Sequence, residues 1–86
     1  MTGNIAVGRN AEATGTLSTS IGENALANQI ETTAIGHGAQ ATDSNASAFG
    51  EGATATGQSS VALGSNAAAA GDASALGRAA NAAANA

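Results

Sequence analysis

Apolar and polar positions alternate with period two along most of the chain, and the alternation restarts every fourteen residues. Residues 5–18 read IAVGRNAEATGTLS, and residues 19–32, 33–46 and 47–60 repeat the same frame. Residues 61–73 form a turn one residue short, and residues 74–86 begin SALGRAANA before running out into alanine and asparagine. Each repeat opens with three alternating residues and a glycine: Gly8, Gly22, Gly36, Gly50, Gly64 and Gly77. Alanine pairs follow: Ala11/Ala13, Ala25/Ala27, Ala39/Ala41, Ala53/Ala55 and Ala67/Ala69. Period two belongs to strands rather than helices. A fixed repeat of this length means that each unit is one turn of a solenoid. The pattern therefore predicts an all-β protein, a parallel β-roll with two short strands per turn. Six turns about 4.8 Å apart would make a rod roughly 25–30 Å long.

The same alternation predicts which way each strand faces. Bulk at the ends of the first strand predicts an inward set of Ile5, Val7, Ile21, Ile35, Phe49, Val61 and Leu63, packed on the paired alanines. Between them runs a column of Ala6, Ser20, Ala34, Ala48, Ala62 and Ala75, small in every turn. A solvent-facing column would be free to carry Lys, Glu or Gln. Uniform smallness predicts close approach by another copy, so this column is the expected subunit interface. On the second strand, Glu12, Leu26, Gln40, Thr54 and Ala68 project outward. Glycine at the first bend supplies the positive φ that a tight turn needs. Gly15, Gly57 and Gly71 stand at the second bend, where Gln29 and Asp43 replace glycine in other turns.

Composition sharpens this picture. Leu, Ile, Val, Met and Phe supply only 12 of 86 residues, against 25 alanines and 12 glycines. No ordinary globular core can be built from that, and so thin a domain buries little surface alone. Low complexity of this kind often signals disorder. The phased apolar positions and a net charge of only −4 argue for a fold instead. Cysteine is absent, which excludes disulfides and thiolate metal sites. Two basic residues leave no footprint for nucleic acid. No apolar run reaches membrane-spanning length, and the opening Met-Thr-Gly-Asn has no signal-peptide character. In the alanine-rich end, residues 78–86, helix competes with strand because alanine is the best helix former.

Catalytic, metal and cofactor sites are not expected. His37 is the sole histidine, and the six acidic residues are scattered. The most varied column is Arg9, Glu23, His37, Glu51 and Ser65 at the first bend. Arg9 and Glu23, one turn apart, are expected to pair. The candidate outer binding face is Arg9, Glu12, Glu23, Leu26, His37, Gln40, Glu51 and Thr54. A hexapeptide acyltransferase solenoid is rejected because its period is six. An ice-binding solenoid would need a flat threonine ladder, and the column Thr14, Asn28, Thr42, Thr56, Ala70 is broken.

The repeats TAIGHGAQAT (33–42), SAFGEGATATG (47–57) and SVALGSNAAAAG (60–71) resemble the head repeats of trimeric autotransporter adhesins of the YadA-like type. The resemblance runs from Asn4 to about Ala82, and the chain reads as a single head fragment, 1–86, with repeats at about 5–82. It implies a left-handed parallel β-roll assembled as a homotrimer. It implies a location on the bacterial cell surface, held to the outer membrane only through a stalk and barrel that this sequence does not include. The implied partners are an extracellular matrix protein, the host cell surface or another adhesin. The family's collagen-associated motif, N-S-V-A-I-G-x-x-S, is approached only by residues 59–64, which lack the leading Asn, the Ile and the trailing Ser. The alternative is a structural spacer or shaft segment of a surface or phage fibre.

Overall fold

A computed structural model describes residues 3–83. Each fourteen-residue repeat contributes one three-residue strand and one two-residue strand, so the period-two pattern becomes two separate sheets. The first sheet stacks β1 (Ile5–Val7), β3 (Thr19–Ile21), β5 (Thr33–Ile35), β7 (Ser47–Phe49), β9 (Val61–Leu63) and β11 (Ser74–Leu76) in that order. The second stacks β2 (Glu12–Ala13), β4 (Leu26–Ala27), β6 (Gln40–Ala41), β8 (Thr54–Ala55), β10 (Ala68–Ala69) and β12 (Asn81–Ala82). Every pairing is parallel, and the register follows the sequence repeat, as in Ala34↔Ala48 and Gln40↔Thr54. The result is a flat coil of 32 × 20 × 11 Å. No helix occurs among the described residues, so the chain stays in strand and turn through Ala82. The remainder of the alanine-rich end, 84–86, lies outside the described residues.

The facing of the first sheet is the reverse of the sequence expectation. Ala34, Ala48 and Ala62 are 0% exposed within the single chain, as is Ser20, and Ala75 is 2% exposed. Ala6 shares their column but lies in the end turn, where it is exposed. The column Ala6, Ser20, Ala34, Ala48, Ala62, Ala75 is therefore the inner face of the coil, and it cannot line a subunit interface. The bulky set points outward: Ile5, Val7, Leu63 and Leu76 are exposed, and Ile21, Ile35, Phe49 and Val61 are half-buried.

The reason is room. Apart from the alanines, every fully buried side chain among the described residues is a serine or threonine: Ser18, Ser20, Thr32 and Ser60. Two sheets joined by bends of only four or five residues close too tightly to hold a Val or Ile between them. Smallness along a column therefore marked the inside.

An alanine core contributes little by itself. One buried methyl-sized group is worth about 0.8 kcal/mol. Turn-to-turn hydrogen bonds carry much of the order, such as Gly36 N–H to Ile21 C=O at 2.7 Å and Gln40 N–H to Ala53 C=O at 2.8 Å. In the first turn Asn4 supplies some of these bonds from its side chain. Its Nδ2 donates to Ala13 C=O at 2.7 Å, and its Oδ1 accepts from Leu17 N–H at 2.9 Å. The equivalent groups one turn later bond to backbone, Thr14 N–H donating to Ala27 C=O and Glu31 N–H to Thr16 C=O. Ser18 Oγ and Ser20 Oγ are buried without a partner among the described residues.

Glycine spacing has two causes. The six first-bend glycines have φ between 115° and 132°, as expected. At Gly36 a Cβ would also lie 2.6 Å from the backbone of Gly50 in the next turn. The second bend uses glycine differently. Gly15 and Gly57 do not have positive φ; a Cβ there would land on the backbone of Gln29 or Gly71. Positive φ falls two residues later, on Leu17, Glu31, Asn45 and Ser59, and on Gly71 itself in the short turn.

Candidate functional site

The candidate outer face resolves into two parallel ladders separated in each turn by two bend residues, of which the second is an inward alanine. Along the first bend, Arg9, Glu23, His37 and Glu51 stack one above another. Arg9 Nη2 meets Glu23 Oε2 at 2.6 Å and Arg9 Nε meets the same oxygen at 3.0 Å, as the one-turn spacing predicted. His37 lies between two carboxylates, with Nε2 3.7 Å from Glu23 Oε1 and Nδ1 3.5 Å from Glu51 Oε2. These side chains are largely in water, so each pair is worth about 0–1 kcal/mol.

The second ladder is the outer column of the second sheet. Backbone register places Glu12, Leu26, Gln40 and Thr54 in consecutive turns, followed by Ala68 and Asn81. Alternation forces this column outward because Ala13, Ala27, Ala41 and Ala55 beside it are buried. Leu26 is the single large apolar residue in it.

Between the ladders runs a column that the sequence reading left out: Asn10, Asn24, Gly38, Gly52, Asn66 and Ala79. All six have φ between 61° and 72°. Asparagine and glycine tolerate this left-handed region best, so the recurrence of Asn or Gly at one offset in five of six turns was a legible signal. Asn10 and Asn24 join Glu12, Ala25, Leu26 and Gln40 around a cleft of about 180 Å³. Three members of the predicted face therefore converge in one place. Arg9, Glu23, His37 and Glu51 lie along the neighbouring ladder, and Thr54 lies a turn beyond the cleft.

A polar, aligned edge on an alanine-cored coil gives displayed groups at regular intervals. Among the described residues, no group of three or more His, Cys, Asp or Glu side chains could hold a metal ion.

The family model described as the YadA head domain repeat matches the chain at residues 5–25, 13–39, 27–53, 41–67 and 55–74. The chain belongs to the YadA head repeat family. No curated protein matches it. Membership places this head repeat in an adhesin family and not in a family of enzymes. It also agrees with the parallel coil of about six turns described above.

Proposed function

We propose that this head repeat is an adhesion module displayed on the bacterial cell surface as a homotrimer, joined through the outer face of the first sheet. The observation that carries the proposal is the apolar column Val7, Ile21, Ile35, Phe49, Leu63 and Leu76, which runs unbroken along that face. Val7 is 55% and Leu76 67% exposed in the single chain. A chain with so few large apolar residues gains little by placing them in water. Full burial of such a side chain from water is worth about 1.5–3 kcal/mol, so covering these half-buried and exposed members between copies would recover part of that for each, and exposed apolar stripes mark interaction surfaces.

Joining through the first sheet leaves the second sheet and the charged bend turned outward. Three identical copies then present each ladder three times, so weak contacts gain by avidity. An extracellular matrix protein, the host cell surface or another adhesin is the partner class. Six turns without an inserted loop also suit a spacer that holds another domain away from the cell.

Sedimentation of the native chain beside Ile35→Glu and Leu63→Glu tests the assembly. A trimer that falls to folded monomer in both variants agrees with it; a native monomer at micromolar concentration refutes it. Surface-bound matrix proteins, whole cells and the head itself then test adhesion. A trimer that binds none of them leaves the spacer.

A further inference from the structure

We propose that the cleft formed by Asn10, Glu12, Asn24, Leu26 and Gln40 binds an uncharged glycan. The inference rests on the adhesion reading in one respect: assembly through the first sheet must leave the second open.

The cleft's polar groups are three carboxamides and one carboxylate. Among the described residues, none of these four side chains makes a hydrogen bond to the protein. By contrast, Asn4 is bonded to Ala13 and Leu17, and Asn45 Nδ2 donates to Glu31 Oε1 at 2.8 Å. A carboxamide offers a donor and an acceptor from one planar group, and a carboxylate accepts from two donors. That set matches neighbouring hydroxyls on a sugar ring, each both donor and acceptor. Leu26, the one large apolar residue on this face, provides a surface for the ring's C–H side.

Other ligand classes fit worse. No basic residue lines the cleft, and Arg9 on the neighbouring ladder is held by Glu23. With Glu12 in the wall and a net charge of −4, sulfated, sialylated or phosphorylated ligands are repelled. The chain has no Tyr or Trp to stack a base. At about 180 Å³ the cleft is smaller than the roughly 300–1,000 Å³ that encloses a drug-sized ligand. It suits part of a longer chain. In the next turn the column of Asn10 and Asn24 continues as Gly38, where the space for a Cβ is empty to 4 Å. A linear saccharide can therefore continue past Gln40 along the coil.

The test is a printed array of uncharged and acidic glycans, probed with the native chain and with Asn24→Gly, Gln40→Ala and Gln58→Ala. Glycine at position 24 keeps the left-handed bend, because Gly38 and Gly52 already occupy that place in the following turns. Gln58 is exposed at the other bend and serves as the control. Retention should be confined to uncharged glycans. It should fall about tenfold in Asn24→Gly and in Gln40→Ala, the loss of one or two hydrogen bonds, and stay unchanged in Gln58→Ala. With the retained glycan, the side-chain amide resonances of Asn10, Asn24 and Gln40 should shift and that of Gln58 should not. Retention of acidic glycans alone, unchanged retention in both cleft variants, or no retention on the array overturns the assignment. Capture of a matrix protein by a chain that holds no glycan overturns this inference and leaves adhesion standing. Failure of both arms removes both.

Discussion

Gly36→Ala, Gly38→Ala and Gly57→Ala separate the two reasons for glycine in this coil. Gly38 has φ 72° and open space around a Cβ. Alanine there carries only left-handed strain, about 1–2 kcal/mol, partly offset by the roughly 0.4–1 kcal/mol that alanine removes from the unfolded chain's freedom. The net cost should be about 1 kcal/mol. At Gly36, φ is 132° and the Cβ would sit 2.6 Å from Gly50 C and O. Ordinary contact begins at 3.4 Å, so the turns must part by the difference, about 0.8 Å. That would stretch the Gly50 N–H to Ile35 C=O bond from 2.8 Å to about 3.6 Å, beyond hydrogen-bond length. An orphaned buried group costs about 1–3 kcal/mol, and backbone strain in a region almost reserved for glycine adds about 1–3 kcal/mol. Gly36→Ala should therefore cost roughly 3–5 kcal/mol. Gly57 has no positive φ, so its substitution reports the stacking clash with Gly71 alone.

Urea unfolding followed by far-UV circular dichroism measures all three. With a slope of about 1–3 kcal/mol per molar urea, the midpoints of Gly36→Ala and Gly38→Ala should differ by about 1 M or more. Gly57→Ala should lie near Gly36→Ala. Equal losses at Gly36 and Gly38, or a neutral Gly57→Ala, would show that turn spacing does not constrain the bends.

Ala48→Arg should unfold the chain rather than merely dissociate it, because the column is interior and the charge would have no partner; a folded monomer would contradict the observed facing. Phe49→Ala, at a half-buried outward position, should cost the single chain less than the roughly 3–5 kcal/mol of a core phenylalanine. Its larger effect should appear in sedimentation. Ser20→Ala removes a buried unpartnered hydroxyl from a column otherwise alanine in the interior turns. It should stabilise by about 1 kcal/mol in thermal melts. Arg9→Ala should change stability by less than about 1 kcal/mol, and the difference should shrink further in high salt.

The repeat, the strand period and the first-bend glycines were legible because each is a local demand of backbone geometry. Pairing of Arg9 with Glu23 was legible for the same reason, since one period of separation becomes one turn of height. Facing was not. Alternation shows that Ala48 and Phe49 point opposite ways and is silent about which is inside. The usual rule, bulk within, then gave the wrong answer, because it assumes that the space between sheets adapts to the side chains. Here the bends fix the spacing, and the alanines of the second strand, already placed inside, limit what can oppose them. Asn10 and Asn24 carry no charge, so their place in the site was legible only through the left-handed bend they occupy beside the charged ladder.

The turns also serve as six internal copies of one design, and they differ in an informative way. The inner column of the second sheet is Ala13, Ala27, Ala41, Ala55, Ala69 and Ala82, the same residue each time. Its outward neighbour is Glu12, Leu26, Gln40, Thr54, Ala68 and Asn81, a different residue each time. The first sheet has two outward columns: Val7, Ile21, Ile35, Phe49, Leu63 and Leu76 vary only among Val, Ile, Phe and Leu, whereas Ile5, Thr19, Thr33, Ser47, Val61 and Ser74 mix apolar residues with Thr and Ser. Folding therefore constrains one face to methyl size. The apolar column keeps its chemistry while shape changes, as assembly would require. The remaining face is free of both demands. A change at Glu12 or Gln40 alters what the coil presents without touching its core or its apolar seam. Specificity can thus vary turn by turn on a scaffold that stays the same, and the cleft at the first three turns is where that freedom has gathered four unengaged polar groups and a leucine.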